Sequence, residues 1–334
     1  MVNLAKSCSI KKIYSDDPSA CLPSYFGLPL QVTGINWVRK WNENQQRLAI
    51  SRAYPVAAKP SNNFVIYAHF FSGIRMALNS YPGIPVMGVL GDSSPWIYDQ
   101  MYGSSWFKTL LSCRAVVAVS KTAYNFYLNR CPKLKDRLYY VPNGVDLNTF
   151  KPQDKLRCRT KLGIEKKVKL AVFVGGFEER KGPLRVLLAA RKADYKVAFL
   201  GQGRQVPKGP EVLVTRTVGQ NELLNWLGAA DCFVLPSLAE GRSNAILEAM
   251  ACGVPVVVSN LPFNTEFVTE KCGALVNPED PNSIADGLKE TCEKKNSLIM
   301  RLEARKIAES FSQTIRIKKL EKILKTIIKK NKQK

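Results

Sequence analysis

The chain has 334 residues, of which 46% are hydrophobic and 23% are charged, and its formal net charge is +23. This length suits two domains of roughly 150 residues each, and the composition excludes a disordered or fibrous chain. No apolar run is long enough to cross a membrane, and the first residues lack the apolar core of a signal peptide. Because its nine cysteines are scattered, we expect neither a disulfide framework nor a zinc site, and we predict a cytoplasmic protein that attracts anions.

The N-terminal region, 1–145, predicts one α/β domain. Its apolar runs NNFVIYAHF, IPVMGVLGD and RAVVAVS are typical of buried strands, with helical patterns between them. Residues 1–60 give mostly loop signals. In 139–152 a strand is followed by Pro142, Asn143 and Gly144, which interrupt regular structure, so we expect the interdomain hinge there.

The region 146–312 predicts a second α/β domain. Apolar runs of strand length, such as KLAVFVGG, YKVAFLGQG, DCFVLPS and VPVVVSN, alternate with longer helical patterns. This rhythm is typical of βαβ units around a parallel sheet that helices cover on both faces.

The turn FVGGFEERKGP, 173–183, has the residues that a diphosphate requires. A predicted strand ends in Gly175 and Gly176, and Arg180 with Lys181 stands just before the next helix. Backbone N–H groups at a helix start bind phosphate, and two cations neutralise a diphosphate leaving group. An Arg-Lys pair taken alone is more often solvated, but the glycine pair favours phosphate contact here.

A second turn of this kind lies in LPSLAEGRSNAILEAMACGVPVVVS, 235–259. Glu240 precedes the helix start, Gly241 lets backbone approach a ligand, and Glu248 lies two turns into the helix. A carboxylate accepts two hydrogen bonds from sugar hydroxyls, and a buried one needs a partner such as a ribose diol. In the alternative interpretation Glu240 caps the helix and Glu248 is exposed.

Three segments in this order, PNGVDLNTFKP, VGGFEERKG and EGRSNAILE followed by AMACGVPVV, resemble the signature of the retaining glycosyltransferases of family 4, or glycosyl transferases group 1. The resemblance covers about residues 113–290. It implies an α/β fold of the GT-B class, with two Rossmann-like domains whose parallel sheets face an interdomain cleft. The domain 1–145 would bind the acceptor and the domain 146–312 the nucleotide sugar.

Carried over residue by residue, the resemblance implies that Glu240 contacts the donor sugar, Glu248 the ribose, and Arg180 with Lys181 the diphosphate. The predicted donor-binding residues are completed by Gly176, Val218 beside the nucleobase, Gly241, Ser243 and Asn244.

The N-terminal domain departs from the family pattern. A histidine that the family often has after the strand in IPVMGVL corresponds here to Gly91, so the following Asp92 is the predicted substitute. Glu240, Asp92 and Lys181 are therefore our candidate catalytic residues. Gly27, as the family's glycine-rich loop, His69, after the strand FVIYA, and Asn143 are candidates for acceptor or cleft contacts, although His69 could equally be a packed residue.

The implied mechanism needs neither a metal nor a cofactor. The acceptor hydroxyl attacks on the face that the nucleotide leaves, and the departing phosphate takes its proton, so the protein supplies position and charge. A UDP- or GDP-sugar is the expected co-substrate, and the acceptor is a glycan, a lipid-linked sugar or a protein-linked sugar.

The tail, 313–334, is predicted to be a basic helix. Residues 316–334 hold nine Lys or Arg against one Glu, and apolar residues from Ile315 to Ile328 form one helical stripe. Such a helix could lie on an anionic membrane as a peripheral contact. In the GT-B fold the final helix instead packs on the N-terminal domain, and the sequence does not decide between these.

Two other functions fit parts of the sequence. The charge of +23 and several tryptophans among basic residues are compatible with a nucleic-acid binder or a DNA-glycosylating enzyme. Another GT-B enzyme, such as a sugar-nucleotide epimerase or a phosphorylase, is the closer alternative. The hinge segment and the pair of glutamates favour transfer.

Overall fold

The computed structural model describes residues 13–15, 30–32, 65–91, 95–292 and 294–332. They form two compact units: the first contains described residues up to Val141 and from Ile317 onwards, and the second runs from Pro142 to Arg316. Residues 317–332 therefore group with the first unit, whereas the sequence was interpreted as having a separate tail. The candidates Gly27 and Asp92 lie outside the described residues.

The first unit is built on parallel strands. Its strands are β1 (Ile13–Ser15), β2 (Leu30–Val32), β3 (Ile66–His69), β4 (Val86–Leu90), β5 (Ala115–Ala118) and β6 (Leu138–Tyr140). Its helices before the crossing to the second unit are α1 (Phe70–Ser80), α2 (Ile97–Tyr102), α3 (Ser105–Ser112) and α4 (Lys121–Arg130). Strands β1 and β2 pair with each other, and β3 to β6 form a four-stranded sheet in chain order. Strands β4 and β5 are buried along their whole length because helices and chain cover both faces.

The second unit has a six-stranded parallel sheet between helices. Its strands are β7 (Leu170–Val174), β8 (Lys196–Leu200), β9 (Val212–Arg216), β10 (Cys232–Leu235), β11 (Val256–Ser259) and β12 (Gly273–Val276). Its helices are α5 (Lys155–Leu162), α6 (Pro183–Ala193), α7 (Gln220–Ala229), α8 (Asn244–Ala251), α9 (Pro262–Thr265), α10 (Pro281–Cys292) and α11 (Lys294–Ser310). Helix α10 packs beside α6, and α5 packs beside α7.

Helix ends in the second unit follow local sequence signals. Asp154 accepts a hydrogen bond from the Arg157 backbone N–H at 2.7 Å and so caps α5, which ends at Gly163 with a φ of 68°. Helix α6 starts with Pro183, whose missing N–H needs no partner at a first helical position, and Gly182 precedes it with a φ of 73°. Cap residues thus set the length of each connecting turn.

The order of the second sheet is β12-β11-β10-β7-β8-β9. Counted from β7, this is the 3-2-1-4-5-6 order of the doubly wound Rossmann fold, and the winding reverses between β7 and β10. The chain leaves these two neighbouring strands towards opposite faces of the sheet, which opens a crevice beyond their carboxyl ends. In open α/β sheets ligands bind in this crevice.

The last helix, α12 (Gln313–Lys332), packs on the sheet of the first unit from Ile317 onwards. Leu320, Ile323 and Ile327, spaced three and four residues apart, are buried against Met87, Val89, Val117 and Val141 of that unit. The middle of the apolar stripe predicted for the tail therefore covers a sheet, the contact that the resemblance implied, whereas its ends, Ile315 and Ile328, are 40% and 45% exposed. The buried part is not a free face that could insert into a lipid bilayer.

We predict that Ile323→Ala destabilises the first unit by about 2–4 kcal/mol, because the shortened side chain leaves a cavity against the sheet. Ile328→Ala is the matched control, since Ile328 is 45% exposed and its truncation is expected to cost less than about 0.5 kcal/mol. Urea unfolding followed by intrinsic fluorescence measures both. Equal stability of the two variants would mean that α12 does not pack as described.

Candidate functional site

The turn after β7, residues 175–182, is hereafter called the β7 turn. It brings a pair of adjacent glycines and two cations to the switch point, the place between β7 and β10 where the strand order reverses. Gly175 N–H donates to the Leu200 carbonyl at 3.1 Å, and Phe177 N–H donates to the Gln202 carbonyl at 2.8 Å. A single 3₁₀ turn, Glu179–Lys181, then leads into α6. Gly176 and Lys181 thus stand at the carboxyl end of β7, as the sequence predicts.

The sequence analysis did not single out Gly201 and Gly203, on which the β7 turn rests. A Cβ atom on Gly201 would lie 1.9 Å from the Gly175 carbonyl oxygen, and one on Gly203 would lie 2.5 Å from the Phe177 carbonyl oxygen. Any side chain at these positions would force the segment after β8 away from the β7 turn. The signal was available, because the GQG segment directly follows the strand KVAFL.

The turn after β10, residues 236–243 and hereafter the β10 turn, lies against the β7 turn. Leu238 N–H donates to the Arg180 carbonyl at 2.8 Å, and Arg180 Nη1 donates to the Ala239 carbonyl at 2.7 Å. Lys181 Nζ forms an ion pair with Glu240 Oε1, and Arg180 Nη1 lies 3.6 Å from the same oxygen. The structure therefore brings together Arg180, Lys181 and Glu240, three of the predicted site residues.

Burial makes this cluster electrostatically strong. The side chains of Lys181 and Glu240 are only 14% and 10% exposed, whereas that of Arg180 is 37% exposed. Solvent screens a pair less as it becomes more buried, so Glu240 holds the Lys181 ammonium firmly in place. Ser237, which the sequence did not single out, is buried and donates from Oγ to Glu240 Oε1 at 3.0 Å.

Helix α8 begins at Asn244, with Ser243 as its N-cap residue. The Ser243 side chain makes no capping hydrogen bond, so it does not satisfy the backbone N–H groups of the first helical turn. Gly241 and Ser243 are buried and Asn244 is exposed. This helix start, with its partial positive charge, is suited to an anion at the switch point.

Glu248 lies inside α8 and is half-buried. Burial raises the pKa of its carboxyl group to about 7, from a usual value of 4.5. No described residue gives it a hydrogen bond or an ion pair at the side chain. The ionised form is therefore costly in the protein alone and is stabilised by any donor that reaches it.

Arg242 has an orientation that the sequence did not predict. Its guanidinium is fully buried, pairs with Glu266 through Nη2 at 2.9 Å, and lies against the rings of Phe267 and Phe311, whose centroids are 4.5 and 4.7 Å from its central carbon. Asn143 Nδ2 donates to the Arg242 carbonyl at 3.0 Å. Asn143, a candidate for acceptor contact, is thus placed to hold the β10 turn.

Val218 follows β9 and is half-buried against the core of the second unit. Beside it, Arg216 Nη1 donates to Glu222 Oε2 at 2.9 Å, which fixes the start of this segment. The segment leaves the carboxyl end of β9, on the same side of the sheet as the β7 and β10 turns. This is the segment that the resemblance predicts to lie beside the nucleobase.

In the first unit, His69 is the last residue of β3 and is exposed. The next residue, Phe70, has a φ of 58°, which is unusual for a bulky side chain, and its ring is 51% exposed. A Cβ atom on Gly91, just after β4, would lie 3.7 Å from that ring. His69 and Phe70 therefore mark the carboxyl end of this sheet.

The comparisons with known proteins agree with this geometry. Residues 154–311, which include both turns, match the family model of glycosyl transferases group 1. The structure of HepE from Anabaena in complex with UDP-glucose is similar with a TM-score of 0.77 and 15% sequence identity, over 97% of this chain and 94% of that one. The chain has the GT-B fold. The fold class predicted from the sequence is confirmed.

Two curated relatives have a higher sequence identity with this chain than HepE has. The D-inositol 3-phosphate glycosyltransferase of Frankia alni is 33% identical over 182 residues, which are 46% of this chain and 44% of that protein. The alpha-maltose-1-phosphate synthase of Mycobacterium tuberculosis is 31% identical over 252 residues, 66% of this chain and 65% of that protein. The chain thus spans between about two fifths and two thirds of these relatives. The first of them is named a glycosyltransferase, which is the enzyme class that the sequence predicts.

We predict that Glu248→Gln stabilises the second unit at pH 8 but not at pH 5. The folded pKa of about 7 lies above the unfolded value, so the unfolded state releases its proton first as pH rises. The contribution of Glu248 to the free energy of unfolding therefore falls between about pH 4.5 and 7, by up to about 3 kcal/mol.

Thermal unfolding of wild type and Glu248→Gln across pH 5 to 8 measures this difference. The exposed Glu165, in the same unit, supplies the control Glu165→Gln, for which we expect the same pH dependence as wild type. A Glu248→Gln curve parallel to that of wild type would contradict the raised pKa.

Proposed function

We propose that this protein is a retaining glycosyltransferase that moves a sugar from a nucleotide-diphosphate sugar to a hydroxyl group of an acceptor. The observation that carries the proposal is the meeting of the β7 and β10 turns at the switch point of a Rossmann sheet. There, two cations, the carboxylate of Glu240 and a helix start stand together at the carboxyl ends of the strands. The group 1 family model over 154–311 supports the same activity.

In this proposal the diphosphate binds between Arg180, Lys181 and the start of α8. The backbone N–H groups near Gly241, Ser243 and Asn244 donate to phosphate oxygens. In the protein alone, Glu240 balances the positive charge of Lys181. A diphosphate bound beside Lys181 would balance part of that charge instead. Glu240 then becomes available to accept hydrogen bonds from hydroxyls of the donor sugar.

The nucleoside is proposed to lie along the same side of the sheet, with its ribose diol on Glu248 and its base near Val218. The raised pKa of Glu248 supports this role, because a diol that donates two hydrogen bonds stabilises the ionised carboxylate. HepE, a protein with this fold, has been crystallised with UDP-glucose. We therefore propose a UDP- or GDP-sugar as the donor.

The proposed reaction proceeds on one face of the sugar. The bond between the anomeric carbon and the diphosphate oxygen breaks as the acceptor oxygen bonds to the same carbon from the same side, and the departing diphosphate receives the acceptor's proton. Arg180 and Lys181 stabilise the charge that develops on the diphosphate, which is the task a metal ion performs in other enzymes. We accordingly propose a metal-independent enzyme with no cofactor. The proposed role of Asp92 is a polar contact with the sugar.

The acceptor is proposed to bind to the first unit and to be a glycan or a sugar linked to lipid or protein. His69 and Phe70 support this assignment, because they stand at the carboxyl end of its parallel sheet, where α/β folds bind ligands. The left-handed backbone at Phe70 points in the same direction, since such conformations of bulky residues cluster at functional sites.

Peripheral contact with an anionic membrane is a further part of the proposal. No described helix is long and apolar enough to cross a bilayer. Lys318, Lys322, Lys325 and Lys329, spaced four, three and four residues apart, form one exposed ridge along α12. Because most of the apolar stripe of α12 is buried, this contact would be mainly electrostatic, through lysines that each add about 1 kcal/mol near such a surface. We propose a cytoplasmic location, which the buried free cysteines of the described chain support.

Nucleic acid remains the other candidate for this ridge, as a polyanion would meet the same lysines. Trp106, one of the tryptophans that suggested base stacking, is fully buried in the first unit, whereas Trp96 is 48% exposed. The aromatic part of the nucleic-acid signal is therefore weaker than the sequence suggested, and its basic part remains.

We predict that Lys181→Ala lowers kcat for donor hydrolysis or transfer about 10²- to 10³-fold, the effect of removing one preorganised charge contact. The donor is first identified by thermal shift with a panel of UDP-, GDP- and ADP-sugars. Lys192→Ala, at an exposed position of α6, is the control and should behave like wild type. Full turnover by Lys181→Ala, or no stabilisation of wild type by any nucleotide sugar, would refute the assignment.

We also predict that changing the four ridge lysines to Glu abolishes sedimentation with vesicles that contain phosphatidylserine. The matched control changes Lys161, Lys166, Lys167 and Lys169, exposed lysines of the second unit, to Glu and so alters the net charge equally. Equal losses in both variants would indicate a general charge effect. Binding to DNA that is lost only in the ridge variant, without vesicle binding by wild type, would favour the nucleic-acid alternative.

A further inference from the structure

The chain passes between the two units twice, at residues 141–142 and at residues 316–317. Two segments of the second unit flank these passages: the entry segment, 142–145, and the exit segment, 311–316. Each of them contacts Arg242 in the β10 turn. All the residues concerned belong to the second unit.

The entry segment contacts the backbone of Arg242. Asn143 Nδ2 donates to the Arg242 carbonyl at 3.0 Å, and Asn143 is the residue between Pro142 and Gly144. The hydrogen bond joins positions 99 residues apart in sequence. The side-chain amide of Asn143 therefore links the position of the β10 turn to that of the entry segment.

The exit segment contacts the side chain of Arg242. The Phe311 ring covers one side of the guanidinium at 4.7 Å, and the Phe267 ring lies 4.5 Å from it. Glu266 Oε2 accepts from Arg242 Nη2 at 2.9 Å, and the side chains of Arg242 and Glu266 are 0% and 9% exposed. A planar guanidinium held by two rings and a carboxylate has little rotational freedom.

The entry and exit segments are also joined to each other. Val145 N–H donates to the Phe311 carbonyl at 2.9 Å, and Gln313 N–H donates to the Val145 carbonyl at 2.8 Å, which makes a parallel β-bridge. A Cβ atom on Gly144 would lie 2.9 Å from the Gln313 Cα atom, so only glycine permits this approach. These contacts therefore hold the two segments together.

We propose that Arg242 is a positioning residue that fixes the backbone of the β10 turn for a nucleoside diphosphate and transmits binding of that ligand to the joined entry and exit segments. Arg242 lies between Gly241 and Ser243, whose backbone is assigned to phosphate contact, so its buried side chain sets where those N–H groups point. This inference rests on the proposed function, since the ligand is the donor's diphosphate portion. Arg242 itself does not touch the ligand.

The test compares Arg242→Met with Arg159→Met. Arg159 is the matched control, because it too is buried, pairs with a carboxylate at 2.9 Å, in this case Asp231, and lies in the same unit away from both turns. Both variants should lose thermal stability. We expect the Kd for UDP or GDP, measured by calorimetry, to rise tenfold or more in Arg242→Met and less than twofold in Arg159→Met.

Hydrogen exchange supplies the second readout. In wild type, the diphosphate should slow exchange at the Val145 and Gln313 amides by at least threefold, and this slowing should disappear in Arg242→Met. Asn143→Ala keeps the buried ion pair and removes only the link to the entry segment. It should fold normally and lose the slowing at Val145, which keeps the inference testable if Arg242→Met does not fold.

The outcomes separate the two proposals. If wild type binds none of the nucleoside diphosphates, the proposed function fails and this inference fails with it. If wild type binds and Arg242→Met retains the same Kd and the same slowing of exchange, the proposed function stands. Arg242 is then a structural residue only, and the inference is overturned.

Discussion

The reversal of strand order between β7 and β10 is the constraint on which the site depends. Parallel strands need crossover connections, and where the winding changes direction two neighbouring strands send their chains to opposite faces. The β7 and β10 turns meet at this point and are joined by hydrogen bonds of Arg180. On the other side of the β7 turn, the missing side chains of Gly201 and Gly203 let the segment after β8 pack closely against Gly175 and Phe177. The cations and carboxylates meet because the backbone does.

A site for an anionic ligand here contains carboxylates as well as cations. Glu240 neutralises part of the charge of Lys181 and Arg180, so the cluster is held together in the protein alone without mutual repulsion of the cations. Glu248 shows the opposite arrangement: it has a raised pKa and no partner among the described residues. One carboxylate is thus preorganised by the protein, and the other would gain a partner only in the proposed complex with the donor. Both arrangements favour discrimination, because a ligand must satisfy each of them.

Most of the buried strands and the two turns could be predicted because each leaves a local signal, such as the glycine pair before Arg180 and the helix that starts after Glu240, whereas β2, β9 and β12 were not predicted. Contacts that join distant parts of the chain left no such signal. The sequence analysis gives Arg242 no role, because only the fold brings Glu266, Phe267 and Phe311 around it. Ser237 was missed for a similar reason, since serine after a strand is common and its bond to Glu240 is a matter of geometry.

Helix α12 shows why periodicity alone could not assign a surface. A stripe of Leu320, Ile323 and Ile327 flanked by lysines has the same spacing whether its apolar side meets lipid or a protein sheet. Packing against Met87 and Val117 resolves this ambiguity and leaves a helix that exposes a ridge of lysines. The consequence is a change in the kind of interaction that the tail can make. An inserted apolar face binds in high salt, whereas a ridge of lysines binds only while its charges are weakly screened, so ionic strength should control any association through α12.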